Sequence, residues 1–414
     1  MQHFTGIQYL QIDIANQMSN TDDPNIKLDK AQFETRLAWV EQYEKDLEDL
    51  VHLADKSFQY LAAVMAYRDA QLGIPTGHLV GVDAAASGLQ IMSALTGCQV
   101  TARNTGLIGP TCNDMYAICT KEMGLLLGED VNVPRKEVKS AQMPLFYGSK
   151  QKPKDVFGDG TPEFYAFHEA NRNVAPGACE LLDIMLESWQ PYALDHSWVM
   201  PDGFTVYVPV MVQVDTKIEV DELDHAAFVY RHDVNCGTEK GLSLAANGIH
   251  SIDGMVVREL SRRCNYDVYQ LVQARILIKG ELVDRKDKPH TSTVVPRIEK
   301  LAMDSGFISL VGVEAFNDMG YQDLGTEYLE HLLKLIEDTL DHKFFPLISV
   351  HDEFKAHANN INVVRQTYID IMAEIAESDM LSHLLTQITG EYFETEKYSE
   401  NLGELIREGE YAVS

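Results

Sequence analysis

The stretch Leu79-Val-Gly-Val-Asp-Ala-Ala-Ala-Ser87 best indicates the fold, because an apolar run stops abruptly at Asp83. A second run, Leu347-Ile-Ser-Val350, stops in the same way at His351-Asp352. Short runs of β-forming residues that end in polar residues predict strands. We therefore expect two short strands, each with an aspartate at its tip.

Most of the remaining sequence shows helical rather than strand periodicity. Apolar residues recur at intervals of three and four, which predicts helices over 29–70, 87–95, 107–128, 132–148, 163–190 and 360–389. The region 198–234 is rich in β-forming residues, and within it 207–220 and 226–234 flank a polar turn, which predicts a long hairpin. The expected fold class is therefore α+β and helix-rich.

Composition excludes several protein classes. The 414 residues include 63 acidic and 34 basic side chains, for a formal charge of −29. No apolar run reaches the ~18 residues that a membrane span needs, and the first residues do not resemble an export signal, so a cytoplasmic protein is expected. Six scattered cysteines without a C-x-x-C pair favour a reducing compartment and disfavour structural zinc. The negative charge, taken as an average, disfavours a nucleic-acid partner.

The two strand-tip aspartates are candidate metal ligands. A carboxylate held rigidly at a strand end suits Mg²⁺, and Asp83 and Asp352, if brought together, could hold two ions about 3.5–4 Å apart for in-line phosphoryl displacement. Taken singly, each aspartate is better explained as a turn former or a helix cap.

A basic helix supplies the second group of candidates. Arg135 and Lys139 lie one turn apart on one face, and Tyr147 follows Lys139 by eight residues, or about 12 Å along a helix. That spacing matches the reach from a triphosphate to its ribose. Lysines at 136, 150, 152 and 154 make this the most positive stretch of an acidic chain and so a local basic site, although the helix taken alone is better explained as a solvated basic face.

Six segments, taken in order, resemble motifs of the single-subunit DNA-dependent RNA polymerases of bacteriophages and mitochondria. The resemblance runs from about residue 30 to the last residue. It rests on Asp83-x3-Ser87-Gly88-x-Gln90-x2-Ser93-Ala94, Asp114-x-Tyr116, Arg135-x3-Lys139-x7-Tyr147-Gly148, Trp198-Val-x-Pro-Asp202-Gly-Phe-x-Val206, His250-Ser-x-Asp253-Gly254 and Val350-His351-Asp352, with the ending Glu410–Ser414 resembling the family's aromatic C-terminal foot.

The resemblance implies roles for these residues. Asp83 and Asp352 would bind two Mg²⁺ ions, with help from the backbone carbonyl of Ala84, and His351 belongs to the same motif as Asp352. Nucleotide binding and sugar recognition would fall to a second group. In that group Arg135 and Lys139 would bind the triphosphate of the incoming NTP, and Tyr147 and His250 would recognise its ribose.

The resemblance also implies a right-hand architecture with an antiparallel palm sheet. The palm would comprise 27–111 and 250–414, the latter with an insertion at about 264–325 and the C-terminal foot. The fingers would comprise 112–249, including the hairpin at 207–234 that reads promoter DNA in the family. Residues 1–26 would be an N-terminal segment at a partner interface.

Departures from the family pattern imply partners. The D-x-x-G-R segment, the thumb and the N-terminal promoter domain have no counterpart here, so the chain resembles the larger catalytic subunit of a split phage RNA polymerase acting in the bacterial host cytoplasm as a heterodimer. A smaller subunit would supply the missing elements. Because the hairpin turn is acidic, we expect weak binding to duplex promoters and delivery of single-stranded DNA by an accessory protein. DNA template, nascent RNA and NTPs complete the expected partners, with no membrane.

Three alternatives remain open. A family-A DNA polymerase shares the palm and often ends its last motif in H-D-E, as in His351-Asp352-Glu353, but it carries Glu where this chain has Gly88 and an aromatic residue where it has Met143. A metal phosphohydrolase built on His351-Asp352 would need ligands on facing helices. The third is a non-catalytic nucleic-acid-binding subunit, which the intact Asp83 and Asp352 disfavour.

Overall fold

The computed structural model describes residues 1–19, 27–128, 133–286, 295–317 and 320–414. Within these ranges the chain is rich in helices and has small antiparallel sheets, which confirms the predicted α+β class. The predicted segment 1–26, helix 132–148 and insertion 264–325 each extend partly outside the described residues. No described helix is long and apolar enough to cross a lipid bilayer.

A three-stranded antiparallel sheet confirms both strands expected from the sequence. Its order is β1 (Leu79–Asp83), β7 (Glu353–His357) and β6 (Ile348–Val350). Asp83 lies opposite Glu353 on one side of β7, and Val350 lies opposite Glu353 on the other. His351 and Asp352 therefore form the two-residue turn between β6 and β7, next to the end of β1.

Helices cover one face of this sheet. Val80 and Val82 of β1 are buried, whereas Leu79 and Asp83 point to the other face, as the two-residue period of a strand requires. The central helix α15 (Ile361–Glu377) packs against β1 and β7 and against α4 (Ser87–Thr96) and α11 (Ser243–Cys264). Because α4 starts only three alanines after Asp83, its first turn lies beside the strand tip.

The N-terminal region, up to Gln71, contains several short helices. The sequence predicted no element in 1–28, but α1 (Gly6–Asn16) begins with a Thr5–Gln8 capping box and is buried against α2 (Phe33–Gln42) and α3 (Ser57–Gln71). The single helix predicted over 29–70 is wrong in extent, because a five-residue 3₁₀ turn, Asp49–Leu53, lies between α2 and α3.

Three other predicted helices are shorter than expected. The one over 107–128 begins only at α6 (Met115–Leu127), because Gly106 and Gly109 adopt positive φ angles of 70° and 91° that a helix does not allow. The one over 163–190 is split before Pro176 and the one over 360–389 is split at Ser378. The split helices give α9 (Pro162–Val174) and α10 (Pro176–Glu187), and α15 followed by α16 (Met380–Thr389). The other helices of this part of the fold are α5 (Gln99–Asn104), α7 (Arg135–Phe146), α8 (Gln151–Phe157) and α17 (Leu402–Arg407).

The β-rich region contains two separate pairs of strands. β2 (Asp195–Val199) pairs with β3 (Thr205–Pro209), and β4 (Met211–Val220) pairs with β5 (Ala226–Asn235), which confirms the predicted hairpin with slightly different ends. Beyond α11, three helices form a second, smaller hydrophobic cluster that includes Leu271, Leu329 and Ile336. They are α12 (Val268–Asp284), α13 (Arg297–Ser305) and α14 (Thr326–Leu340).

Candidate active site

Both strand-tip aspartates lie at one edge of the central sheet. The backbone N–H of Ala84 donates to the carbonyl oxygen of Asp352 at 3.3 Å, which ties the end of β1 to the β6–β7 turn. His351 adopts a φ of 57°, the left-handed conformation that a two-residue hairpin turn favours. The register of β1 against β7 therefore places residue 83 close to residue 352.

A cavity of about 480 Å³ opens above this edge. It brings together every residue to which the sequence assigned a role in catalysis, metal binding or nucleotide binding. The predicted residues in its lining are Asp83, Ala84, Arg135, Lys139, Tyr147, His250, His351 and Asp352.

The electrostatics of the sheet edge are those of crowded carboxylates. Asp83 remains accessible from the cavity, but the surrounding protein removes part of its hydration and Asp352 adds a second negative charge, so the pKa of Asp83 rises to about 6. Lys30 opposes this rise with its positive charge. A bound divalent cation would relieve the repulsion between the two aspartates.

The helix α7 contributes two cationic side chains, Arg135 and Lys139, to the lining of the cavity. The Arg135 guanidinium pairs with Asp114, with a distance of 2.5 Å between Nη2 and Oδ2, and Asp114 also caps α6 by accepting from the N–H of Tyr116 at 3.0 Å. Lys139 places its ammonium 5.2 Å from the centre of the Tyr116 ring and has no carboxylate partner among the described residues. Lys139 therefore presents an uncompensated positive charge to the cavity.

Tyr147 stands between α4 and α11. Its ring lies 4.5 Å from that of His250, and a Cβ atom placed on Gly88 would come within 2.7 Å of its hydroxyl oxygen. Burial, followed by the charges of Asp253 and Asp352, raises the pKa of Tyr147 to about 12, so the phenol keeps its proton. Burial lowers the pKa of His250, which favours a neutral imidazole.

Asp253 and Lys30 also line the cavity, although the sequence assigned them no role. Asp253 lies three residues after His250 on α11, and burial with the nearby Asp352 raises its pKa to about 6 while a hydrogen bond from Ser87 opposes the rise. The i, i+3 spacing from His250 was a signal that could have identified Asp253. Lys30 had no such signal, because it reaches the cavity only through tertiary packing.

The Trp198–Val206 segment attaches the β2–β3 pair to α11, the helix that carries His250. The indole N–H of Trp198 donates to the Ser251 hydroxyl at 3.1 Å. The Asp202 carboxylate is fully buried and forms ion pairs with Arg258 and Arg262, with N···O distances of 2.5 Å and 3.1 Å. Burial alone would raise the pKa of Asp202, but its two arginine partners outweigh that effect and hold the pKa below its usual range.

Asp202→Ala is expected to lower the free energy of unfolding by about 3 kcal/mol, because it leaves the partly buried Arg258 without its carboxylate and removes one carboxylate partner of Arg262. The contribution of the Asp202 carboxylate to stability is present near neutral pH and is lost as the pH falls through the lowered pKa of Asp202 in the folded state. Urea unfolding at pH 7 measures the change. Asp215→Ala removes a carboxylate from the exposed Asp215–Arg231 pair and serves as the control, with little change expected. Equal effects of the two substitutions would contradict the role of Asp202.

The oxygen atoms at the sheet edge fit the expected magnesium ions. Two carboxylates and the nearby carbonyl of Ala84 are the hard donors that Mg²⁺ prefers. Among the described residues, three potential side-chain ligands approach within 4.8 Å of one another only at Glu219, Asp221 and His225, which are exposed around the hairpin turn and do not line this cavity. We assign no metal to that exposed group.

Comparison with known proteins adds no further assignment: no family model matches the chain, and no curated protein matches it. Its function is therefore inferred from the residues of the cavity.

Proposed function

We propose that this chain catalyses DNA-templated RNA synthesis by two-metal nucleotidyl transfer from NTPs. The observation that carries the proposal is that Asp83, Asp352, Arg135 and Lys139 all line one cavity of about 480 Å³. With metal ions bound, such a cavity would hold an anionic substrate beside fixed positive charges. The reaction would join an RNA 3′-hydroxyl to the α-phosphorus of an NTP and release pyrophosphate.

Magnesium would supply Lewis-acid stabilisation of the attacking and leaving oxygens when bound. Asp83, Asp352 and the Ala84 carbonyl would hold the two ions, and their placement on a strand end and a tight turn keeps them rigid. The protein itself contributes positioning and charge rather than covalent chemistry. Lys139, with no carboxylate partner in the described structure, is suited to the triphosphate, and Arg135 would join it by exchanging Asp114 for phosphate.

Recognition of ribose is proposed for Tyr147 and His250. The Tyr147 phenol is protonated at neutral pH and therefore able to donate a hydrogen bond to a sugar hydroxyl. Gly88 leaves open the space beside that hydroxyl, where the family-A DNA polymerases place a glutamate. A side chain at this position would collide with Tyr147 or displace it. Gly88 therefore favours RNA synthesis over DNA synthesis. The His351-Asp352-Glu353 sequence, by contrast, favours a family-A DNA polymerase.

In this proposal the β1–β7–β6 sheet belongs to the palm and α7 to the fingers. A smaller subunit would provide the elements for which this chain shows no counterpart, and a single-strand-binding protein would deliver the template. Residues 1–16 offer that subunit only their outer surface, because Tyr9, Leu10, Ile12 and Ile14 of α1 are already buried within this chain.

Primer extension tests the proposed function. A DNA template annealed to an RNA primer, with Mg²⁺ and the four NTPs, should yield products complementary to the template when the chain is co-purified with its co-expressed partner. Calorimetry with Mg²⁺ and a single NTP tests the isolated chain, which should bind the nucleotide through its own residues. A chain that neither binds Mg²⁺–NTP nor extends the primer with its partner is not this polymerase.

Tyr147→Phe is expected to retain RNA synthesis but to reduce discrimination against dNTPs about tenfold, because only the hydroxyl that meets the sugar is lost. The ratio of kcat/KM for a matched NTP and dNTP measures the effect. Tyr116→Phe is the control, since it keeps the ring beneath Lys139 and should leave selectivity unchanged. Unaltered selectivity in Tyr147→Phe would place Tyr147 in a packing role.

A further inference from the structure

The β4–β5 hairpin has two chemically different faces. Cross-strand partners share a face, and the register pairs Val214 with His232, Thr216 with Tyr230 and Ile218 with Phe228. With Val212–Val234 and Val220–Ala226 at its ends, this face is almost entirely apolar or aromatic along the length of the hairpin. The other face carries Gln213–Asp233, Asp215–Arg231, Lys217–Val229 and Glu219–Ala227.

No element of the described chain covers the apolar face. Phe228 and Tyr230 are 53% and 54% exposed, and Val214, Ile218 and Val234 are each 38% exposed. The two strands pack extensively only against each other. The rings of Tyr230 and His232 lie nearly parallel, with centroids 5.1 Å apart, so they form a flat surface. A contiguous apolar strip of this kind on a protein surface marks an interaction site.

β4 has the pattern of a half-buried strand, since apolar residues alternate with polar ones along most of it, whereas β5 is apolar on both faces from Ala226 to Tyr230. A two-stranded hairpin alone is only marginally stable in water, and packing of its apolar face against another element supplies the additional stability. At about 3.3 Å per residue the strip is roughly 33 Å long. It therefore fits one extended or helical segment laid along it.

Charge decides what kind of segment fits. Residues 211–235 carry six carboxylates and two cationic side chains, and four of the carboxylates lie at 219–224, around the turn. Phosphates would be repelled there, whereas lysine and arginine side chains would be attracted. We propose that the apolar face of this hairpin binds an amphipathic segment of a partner protein, apolar along one side and flanked by basic residues.

This docking surface is separate from the proposed catalysis. No residue of β4 or β5 lines the cavity that holds Asp83 and Asp352. Loss of nucleotide binding and loss of docking are therefore distinguishable by separate measurements on the same purified chain.

Two fluorescent peptides serve as probes, one alternating Val with Lys and one alternating Val with Glu, each long enough to span the strip. Anisotropy titrations of the full chain should show binding of the Val/Lys peptide and at least about tenfold weaker binding of the Val/Glu peptide. The double substitution Phe228→Thr/Tyr230→Thr should weaken binding of the Val/Lys peptide about tenfold or more. Val229→Thr is the matched control, because Val229 is 61% exposed on the opposite face, and its effect should be less than about twofold.

Threonine retains β-propensity, and far-UV circular dichroism should confirm that the hairpin variants remain folded. Equal binding of the Val/Lys peptide by the double variant would show attraction to the acidic chain in general and would overturn the proposal. Self-association of the chain that depends on Phe228 would assign the face to a second copy instead. Binding of a single-stranded or duplex DNA oligonucleotide that is lost in the double variant would assign it to nucleic acid, and would equally defeat the proposal.

Discussion

Asp352→Asn is expected to reduce templated nucleotide addition about a thousandfold, or about 4 kcal/mol of transition-state stabilisation, and Asp83→Asn is expected to do the same. Asparagine keeps the size of each side chain but removes the negative charge that would hold Mg²⁺. Single-turnover primer extension at saturating Mg²⁺ measures the loss. Both variants should remain folded, because neither carboxylate makes an ion pair within the described chain.

Glu353→Gln is the matched control for both aspartates. Glu353 lies directly opposite Asp83 in the sheet but does not line the cavity, and its carboxylate pairs with Lys355 at 3.0 Å. The substitution should change activity less than about threefold, within the range of an exposed ion pair. Near-normal activity in either aspartate variant, measured with a folded protein, would remove the two-metal assignment.

Lys139→Ala is expected to lower kcat/KM for the matched NTP about a hundredfold, the usual cost of removing one charged group that stabilises a transferring phosphoryl group. The structural reason is that Lys139 presents its ammonium to the cavity without a carboxylate partner in the described ranges. Arg135→Ala combines two effects, because it also frees Asp114, and is therefore a less direct test.

Lys136→Ala controls for the general positive charge of α7. Lys136 is exposed on the same helix but does not line the cavity, so its removal should change kcat/KM for the NTP less than about twofold. If Lys136→Ala and Lys139→Ala reduce activity equally, the helix acts only through its overall charge. Lys139 would then have no specific contact with the triphosphate.

Much of the candidate site could be predicted from the sequence because its residues sit at ends of regular elements. Asp83 ends β1, and Arg135 and Lys139 lie on one face of α7, both as the local patterns indicate. The order of the motifs along the chain then supplied roles for these residues, which remain proposals. The hairpin also followed from its β-forming residues and polar turn, although its start moved from 207 to 211.

Other features depended on packing that has no local signature. α1 has few charged residues and no clear period, yet it is buried because α2 and α3 cover it. The Tyr411–Val413 segment is buried, and Val413 bridges to Ala84 beside Asp83, a contact across more than 300 residues. Glycines with positive φ and Pro176 interrupt two of the predicted helices even where apolar periodicity continues, whereas the breaks at Asp49–Leu53 and Ser378 contain neither glycine nor proline.

The sequence by itself determined the strand tips, the basic helix and the presence of the hairpin, because periodicity and turn residues act over a few positions. Only the tertiary structure decided that the strand tips and the basic helix share one cavity. The register that places Asp83 opposite Glu353 brings Asp352 to the same sheet edge, and the packing of α11 against α4 brings in Asp253 and His250. Local patterns specify which face of an element is apolar, but the partner that covers that face is selected by the packing of the whole core. For the apolar face of the β4–β5 hairpin, the described chain contains no such partner.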